Sequence, residues 1–166
     1  MITPHESIGP IRLGADRSFI RATLKRVGLR LEAERGSSDY FCESTIQVEF
    51  GDDGRADFIG IGSAPPFPII YRGIDVFDVS ATELFDLIAR HEGSREHLFD
   101  RYEYVFPDQI VTLWDADSQY DHRGNRERLI WGQVGLGSSR YLEATRRDPS
   151  EPSRTVESQR RFGLRR

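Results

Sequence analysis

The sequence predicts an α+β fold in which tandem strand-helix-hairpin units build one antiparallel sheet with the helices packed on one face. Three observations carry that prediction. The first is the stretch 45–62, T-I-Q-V-E-F-G-D-D-G-R-A-D-F-I-G-I-G. Ile46, Val48 and Phe50 alternate with Gln47 and Glu49, the period of a strand with one buried face, and Asp53-Gly54 supplies residues that tolerate the positive φ of a tight hairpin turn. A hairpin closed there puts positions 46, 48 and 50 on one face with 55, 57, 59 and 61, so Ile59 and Ile61 extend the apolar surface. Phe58 points the other way and needs cover from another element. The second observation is an echo at 64 residues (110 − 46 = 64). It sets Ile46 on Ile110, Val48 on Thr112, Phe50 on Trp114 and Asp53 on Asp117, and without a gap Gly9 on Gly73, Ile20 on Leu84, Leu24 on Ile88 and Tyr40 on Tyr104. An apolar pattern that persists through a helical and a strand segment together predicts a tandem duplication. The third is a pair of apolar stripes at helical spacing, Phe19, Ile20, Leu24 and Val27 in the first half and Leu84, Phe85, Leu87 and Ile88 in the second.

Residues 8–13, I-G-P-I-R-L, alternate after Pro10 and predict a short edge strand or an extended lead-in that Gly14 ends. Asp16 or Ser18 can cap the helix that follows, because a short side-chain oxygen accepts a free N–H of the first turn. Arg17, Arg21, Lys25 and Arg26 populate its polar side, and Gly28 stops it. Segment 29–41 has no clear period, with 35–39 reading as a loop before Tyr40-Phe41-Cys42. After the hairpin, Ala64-Pro65-Pro66-Phe67-Pro68 forbids helix and central strand alike, since prolines lack donors and push their neighbours to extended geometry. It is the joint between pseudo-repeats 8–62 and 72–137. The pattern restarts over 69–77, and Ser80-Ala81-Thr82-Glu83 is a capping box whose serine and glutamate satisfy each other's backbone donors. That helix is expected to end near Gly93, with a further helical turn over 97–102 and strands over 104–106, 109–114 and 128–136. Between the last two lies 115–127, D-A-D-S-Q-Y-D-H-R-G-N-R-E, read as a long polar loop. After Gly137 the chain turns to Arg, Ser, Pro and Glu with hardly an apolar residue, which does not offset the entropy of ordering. The expected organisation is one domain over 1–137 and an Arg-rich, largely disordered tail over 138–166.

A chain of 166 residues can bury a core without disulfides. Cys42 is the only cysteine, which excludes an intrachain disulfide and a cysteine-rich zinc site and fits a reducing, cytoplasmic setting. The first residues lack the basic start and apolar run of a signal peptide, and no apolar stretch approaches the ~20 residues that span a bilayer, so no membrane partner is expected. Through Gly137 the chain carries 15 Lys and Arg against 23 Asp and Glu, or −8, and from Ser138 onward 8 Arg against 4 acids, or +4. An acidic body argues against nucleic-acid binding by the folded domain, because that affinity rests on neutralising phosphates. It suits a basic protein partner, whose encounter the field would steer.

The chemistry-bearing patterns are incomplete. His91 and His97 are six apart, so the i, i+4 geometry of the H-E-x-x-H zinc helix is absent. Asp115, Asp117 and Asp121 begin like a calcium loop, but Tyr120 stands where that loop needs glycine and Arg126 where it needs a bidentate glutamate. Cys42 reads as a small buried hydrophobe, no serine has the G-x-S-x-G context, and Gly60, Gly62 and the glycines at 132, 135 and 137 lie in or beside strands, the last run with no following lysine and no convincing following helix. No catalytic residue, metal or cofactor is expected. Trp114 and Trp131 have the most interaction value, since both stand at the ends of paired strands beside the loop that holds Tyr120, although large aromatics also suit a core. The candidate partner-binding residues are therefore Trp114, Asp115, Asp117, Tyr120, Asp121 and Trp131.

The opening I-G-P-I-R-L-G, followed by a helix and a hairpin that ends in an apolar strand, resembles a group of small bacterial proteins without assigned chemistry. In broader outline the tandem helix-then-strands unit over 8–137 is similar to the β-lactamase inhibitor protein and to SmpA/OmlA lipoprotein modules. It departs from the first in having one cysteine and no signal, and from the second in lacking a lipidated cysteine near its start. The resemblance implies a binding architecture, by analogy of fold. Acidic, motif-poor proteins of this size are also typical of toxin-neutralising immunity proteins. The expected function is a non-enzymatic, intracellular protein-binding module of the inhibitor or immunity type. The rival is a small-ligand protein or enzyme with a pocket between sheet and helices.

Overall fold

The computed structural model describes residues 1–63, 65–100, 102–120 and 127–147. The first half runs β1 (Ile2–Thr3), β2 (Ser7–Ile8), β3 (Ile11–Arg12), α1 (Arg17–Arg26), β4 (Leu31–Arg35), β5 (Ser38–Phe41), β6 (Ile46–Phe50) and β7 (Ala56–Gly62). The second runs β8 (Ile70–Tyr71), β9 (Ile74–Asp75), α2 (Ala81–Ala89), β10 (Leu98–Asp100), β11 (Glu103–Phe106), β12 (Val111–Tyr120) and β13 (Glu127–Gly137), and α3 (Ser139–Arg146) follows. Eight strands form one antiparallel sheet in the order β10-β11-β12-β13-β7-β6-β5-β4. Each half is thus a helix followed by a four-stranded meander, and the two meanders join through their last strands. Adding 64 to α1 gives 81–90 against 81–89 for α2, and adding 64 to β5 gives 102–105 against 103–106 for β11. Gly9 and Gly73 also match, at φ 55° and 84°, each turning the chain between two-residue strands in a conformation that side chains resist.

The alternation fixes the sheet's two faces. Ile46 pairs with Ile61 and Val48 with Ile59, while Val134 and Leu136 continue the row across the seam and Leu113 and Val111 across β12. This inner face meets Ile20 and Leu24 of α1, Leu84 and Ile88 of α2, and Ile2, Ile8 and Ile11 of the small β1-β2-β3 sheet in the main core. A bulge between Glu49 and Phe50 sets Phe50 against Ala56. It therefore turns Ala56, rather than Arg55 or Asp57, into the core. Phe19 and Val27 stay exposed, leaving a narrower stripe on α1 than the spacing suggests.

The helices do not share one face. Phe58, opposite in parity to Ile59, is fully buried on the outer face by α3, whose Tyr141 ring stacks on it with centroids 4.7 Å apart. Val105, Ile110 and Leu142 complete this second cluster. Ser138 caps α3 by accepting the Tyr141 N–H, and Arg140 holds Asp53 at 2.8 Å and Asp57 at 2.9 Å. The ordered structure thus continues past Gly137 through α3, and residues 148–166, the rest of the expected tail, lie outside the described residues.

Three other segments differ from expectation. The loop expected at 35–39 is a hairpin between β4 and β5, hidden because β4 is an edge strand exposed everywhere but Ala33. Its partner buries Asp39, whose carboxylate accepts from Arg17 Nε at 3.1 Å and Nη2 at 2.7 Å, and from Arg21 Nε and Nη2 at 2.7 Å each. Residues 97–102 hold the edge strand β10 rather than a helical turn. The capping box forms as expected, but α2 ends at Ala89, and Glu92 instead accepts the N–H groups of Asp108 at 2.7 Å and Gln109 at 3.3 Å in the β11–β12 turn.

Candidate functional site

The described part of the region that holds the predicted contact residues is strand rather than loop. β12 runs to Tyr120 and β13 starts at Glu127, with pairs continuing from Ala116↔Trp131 to Tyr120↔Glu127. β11 follows β12 only to Trp114, and β7 follows β13 only to Gln133. The outer part of the pair is therefore a two-stranded ribbon that projects past the sheet. Beyond those points each strand of the ribbon is hydrogen-bonded only to the other, with its outer backbone edge facing away from the sheet, so the stretch reads as polar loop although it is paired. Asp115 sits in the left-handed region at φ 40° where the ribbon leaves the sheet. Opposite it a Cβ on Gly132 would lie 2.9 Å from the Asp115 carbonyl oxygen, so a side chain at 132 would force the two backbones apart.

The ribbon is tied to α2. Trp131 donates its indole N–H to Ala81 O at 2.9 Å and packs on the main core, and Arg128 Nη1 donates to Asp78 O at 3.1 Å. Trp131 is thus a strut with its polar atom engaged. Trp114 is half-buried on the outer face, its ring 6.5 Å from that of Tyr102, which is 48% exposed. Asp115 N–H donates to Tyr102 O at 2.8 Å, anchoring the turn between β10 and β11 against the ribbon's base. Asp115 and Asp117 are exposed, and Leu129, paired with Ser118, is 51% exposed. The structure brings Trp114, Asp115 and Asp117 to one end of the sheet and adds Tyr102 and Leu129. The backbone of Tyr120 closes β12, whereas Asp121 lies outside the described residues.

Glu103 pairs with Trp114 in register on the outer face. Its carboxylate accepts from the Tyr141 hydroxyl at 2.6 Å. Burial pushes Glu103 above the usual carboxylate range, against the Tyr141 hydrogen bond, and Asp100 on β10 pushes it further. Burial likewise raises Tyr141 well above the usual phenol. Sequence reasoning missed this pair, because 38 residues separate its members.

The histidines are engaged separately, His91 Nδ1 with Leu87 O at 2.9 Å and His97 Nδ1 with the Tyr104 hydroxyl. Among the described residues no group of three His, Cys, Asp or Glu is placed to hold a metal. Between the sheet and α2 one group of polar side chains satisfies itself: the Tyr71 hydroxyl donates to Gln109 Oε1, and Gln109 Nε2 donates to Ile88 O at 3.2 Å and to Glu92 Oε2 at 3.3 Å. Such a network has its donors and acceptors turned inward rather than toward a ligand.

No family model, curated protein or solved structure matches this chain. Any functional reading therefore rests on the site itself.

Proposed function

We propose that the chain is a non-enzymatic protein-binding module whose contact surface is the ribbon end of the sheet. The observation that carries this reading is the grouping there of exposed Asp115, Asp117 and Leu129 with the partly exposed rings of Trp114 and Tyr102. Large rings at the base of a projecting ribbon give apolar anchor area at little conformational cost, and carboxylates around them give orientation. The partner is a protein with a basic face, matching the excess of acids in the body. An inhibitor or immunity role inside the cell is the class of function that this combination suits.

The test is capture by the full chain from cells of its source organism, followed by measured affinity for the captured protein. Trp114→Ala should weaken binding by ~30-fold or more, the effect of losing an anchor worth about 2 kcal/mol. Asp115→Asn/Asp117→Asn should slow association at low salt and lose that effect at high salt. Unchanged affinity in both folded variants would sink the reading.

A further inference from the structure

Among the described residues the outer face carries a carboxylate, Glu103, with no cation against it. Glu103 and Asp100 stand directly opposite each other across β10 and β11, an arrangement of like charges that a sheet tolerates poorly without a counterion. No Lys, Arg or His of the described residues forms an ion pair with Glu103, whose one hydrogen bond of normal geometry comes from Tyr141. In the next row Thr112, 1% exposed, has an Oγ1 near the same carboxylate that makes no hydrogen bond of normal geometry. Trp114 flanks Glu103 on β12. The group that would satisfy this set has several donors, carries positive charge, sheds water readily and lies flat against an aromatic ring, which describes a guanidinium.

We infer that Glu103, with Thr112 and Trp114 beside it, is a receptor for one guanidinium, and that the chain's own segment 148–166 supplies it. α3 delivers the chain to the place: Tyr141 lies on Glu103, and Arg146 Nη2 reaches Glu96 Oε2 at 2.5 Å, just before β10. Beyond Arg147, 19 residues remain (166 − 147 = 19), with arginines at 154, 160, 161, 165 and 166 against Asp148, Glu151 and Glu157. Arg154 follows Arg147 by seven residues, a span of up to about 23 Å when extended, whereas neighbouring strands lie only about 4.8 Å apart. Each of the five therefore stands on enough chain to cross several strands, and a tethered segment holds it at an effective concentration on the order of millimolar that a free basic peptide rarely attains.

The experiment is NMR of the labelled full chain. One arginine Nε–H among the five should be shifted and protected from exchange, and Glu103→Gln, which keeps an acceptor for Tyr141, should abolish that protection. The Glu103 carboxyl should also titrate about one unit lower or more in the wild type than in a variant with all five arginines replaced by glutamine. These five positions lie outside the described fold, so that variant tests the idea even if Glu103→Gln fails to fold. The inference is overturned if no tail arginine is protected, if protection survives Glu103→Gln, or if Glu103 titrates alike with and without the five arginines. It is equally overturned if Arg101→Gln alone reproduces the shift, which would assign the cation to the β10–β11 turn. An arginine-rich peptide that moves the Glu103 signal as readily in the wild type as in the five-fold variant would mean that a partner supplies the guanidinium.

Discussion

Replacing Asp39 should be the most damaging single polar change in the first half of the chain. Its side chain is 0% exposed, and it takes four hydrogen bonds from Arg17 and Arg21. Removing one member of a buried ion pair costs roughly 3–5 kcal/mol, because the remaining charge loses its partner without regaining water. Here the two guanidinium side chains are 24% and 32% exposed and keep Glu34 at 3.1 and 2.8 Å, so part of the loss is relieved. Asp39→Ala should therefore cost about 3 kcal/mol, or roughly 6–12 °C in Tm for a chain of this size. Burial pushes the Asp39 carboxyl up, but the hydrogen bonds from Arg21 and Arg17 together outweigh it and hold the group below its ordinary value. A depressed acid contributes stability that is fully present above its unfolded pKa, near 4, and is lost as pH falls through the folded value. Urea melts of wild type and Asp39→Asn at pH 7, 5, 3 and 2 should show a difference that is constant at the first two and shrinks at the last two. A difference that ignores pH, or a cost below about 1 kcal/mol for Asp39→Ala, would refute the reasoning.

Three further outcomes are expected. Gly135→Ala should destabilise by about 1–3 kcal/mol in denaturant melts, because the new Cβ would lie 2.5 Å from both the Phe58 ring and Thr112 Oγ1 in a packed row. Ser80→Ala removes the side chain that accepts from Glu83 N–H and donates to its carboxylate, and should cost about 1 kcal/mol, read as a fall in midpoint with the denaturant slope unchanged. Trp131→Phe keeps the apolar contact but leaves Ala81 O without its 2.9 Å donor; a loss of about 1 kcal/mol with unchanged partner affinity would mark Trp131 as a strut rather than a contact.

What the sequence revealed was local. The β6–β7 hairpin and the Ser80 capping box were legible because each is settled by residues within a few positions, through alternation, a turn pair and a serine three residues before a glutamate. β4 and β5 were hidden because one is an exposed edge and the other buries Asp39, whose partners lie 18 and 22 residues earlier. The ribbon was hidden because it runs past its strand neighbours and exposes Asp115, Asp117 and Leu129, so no period of two marks it. α3 was hidden because Tyr141 and Leu142 are its buried residues, too few to stand out from an Arg- and Ser-rich stretch. At the candidate site, the exposed Asp115 and Asp117 and the partly exposed Trp114 could be named because a polar run follows an apolar one there, although the strand itself continues to Tyr120. Neither the docking of Trp131 onto α2 nor the hydrogen bond from Tyr141 to Glu103 could be, since both depend on contacts that span 50 and 38 residues.

The strand order also shapes how the chain reaches its native state. Every pairing in the large sheet joins consecutive strands except β7 with β13, where Ile61 and Val134 lie 73 residues apart (134 − 61 = 73). Closing that distance costs on the order of 4 kcal/mol of chain entropy, whereas each meander can zip from its own turns. Folding should therefore proceed as two quick local events and one slow encounter, with the seam setting the barrier. Until the halves meet, β7 presents Ile59 and Ile61 on an unpaired edge, a template open to the matching strand of another molecule. At high concentration the same step that completes the monomer would then produce exchanged dimers, and a refolding yield that falls as protein concentration rises would be its signature.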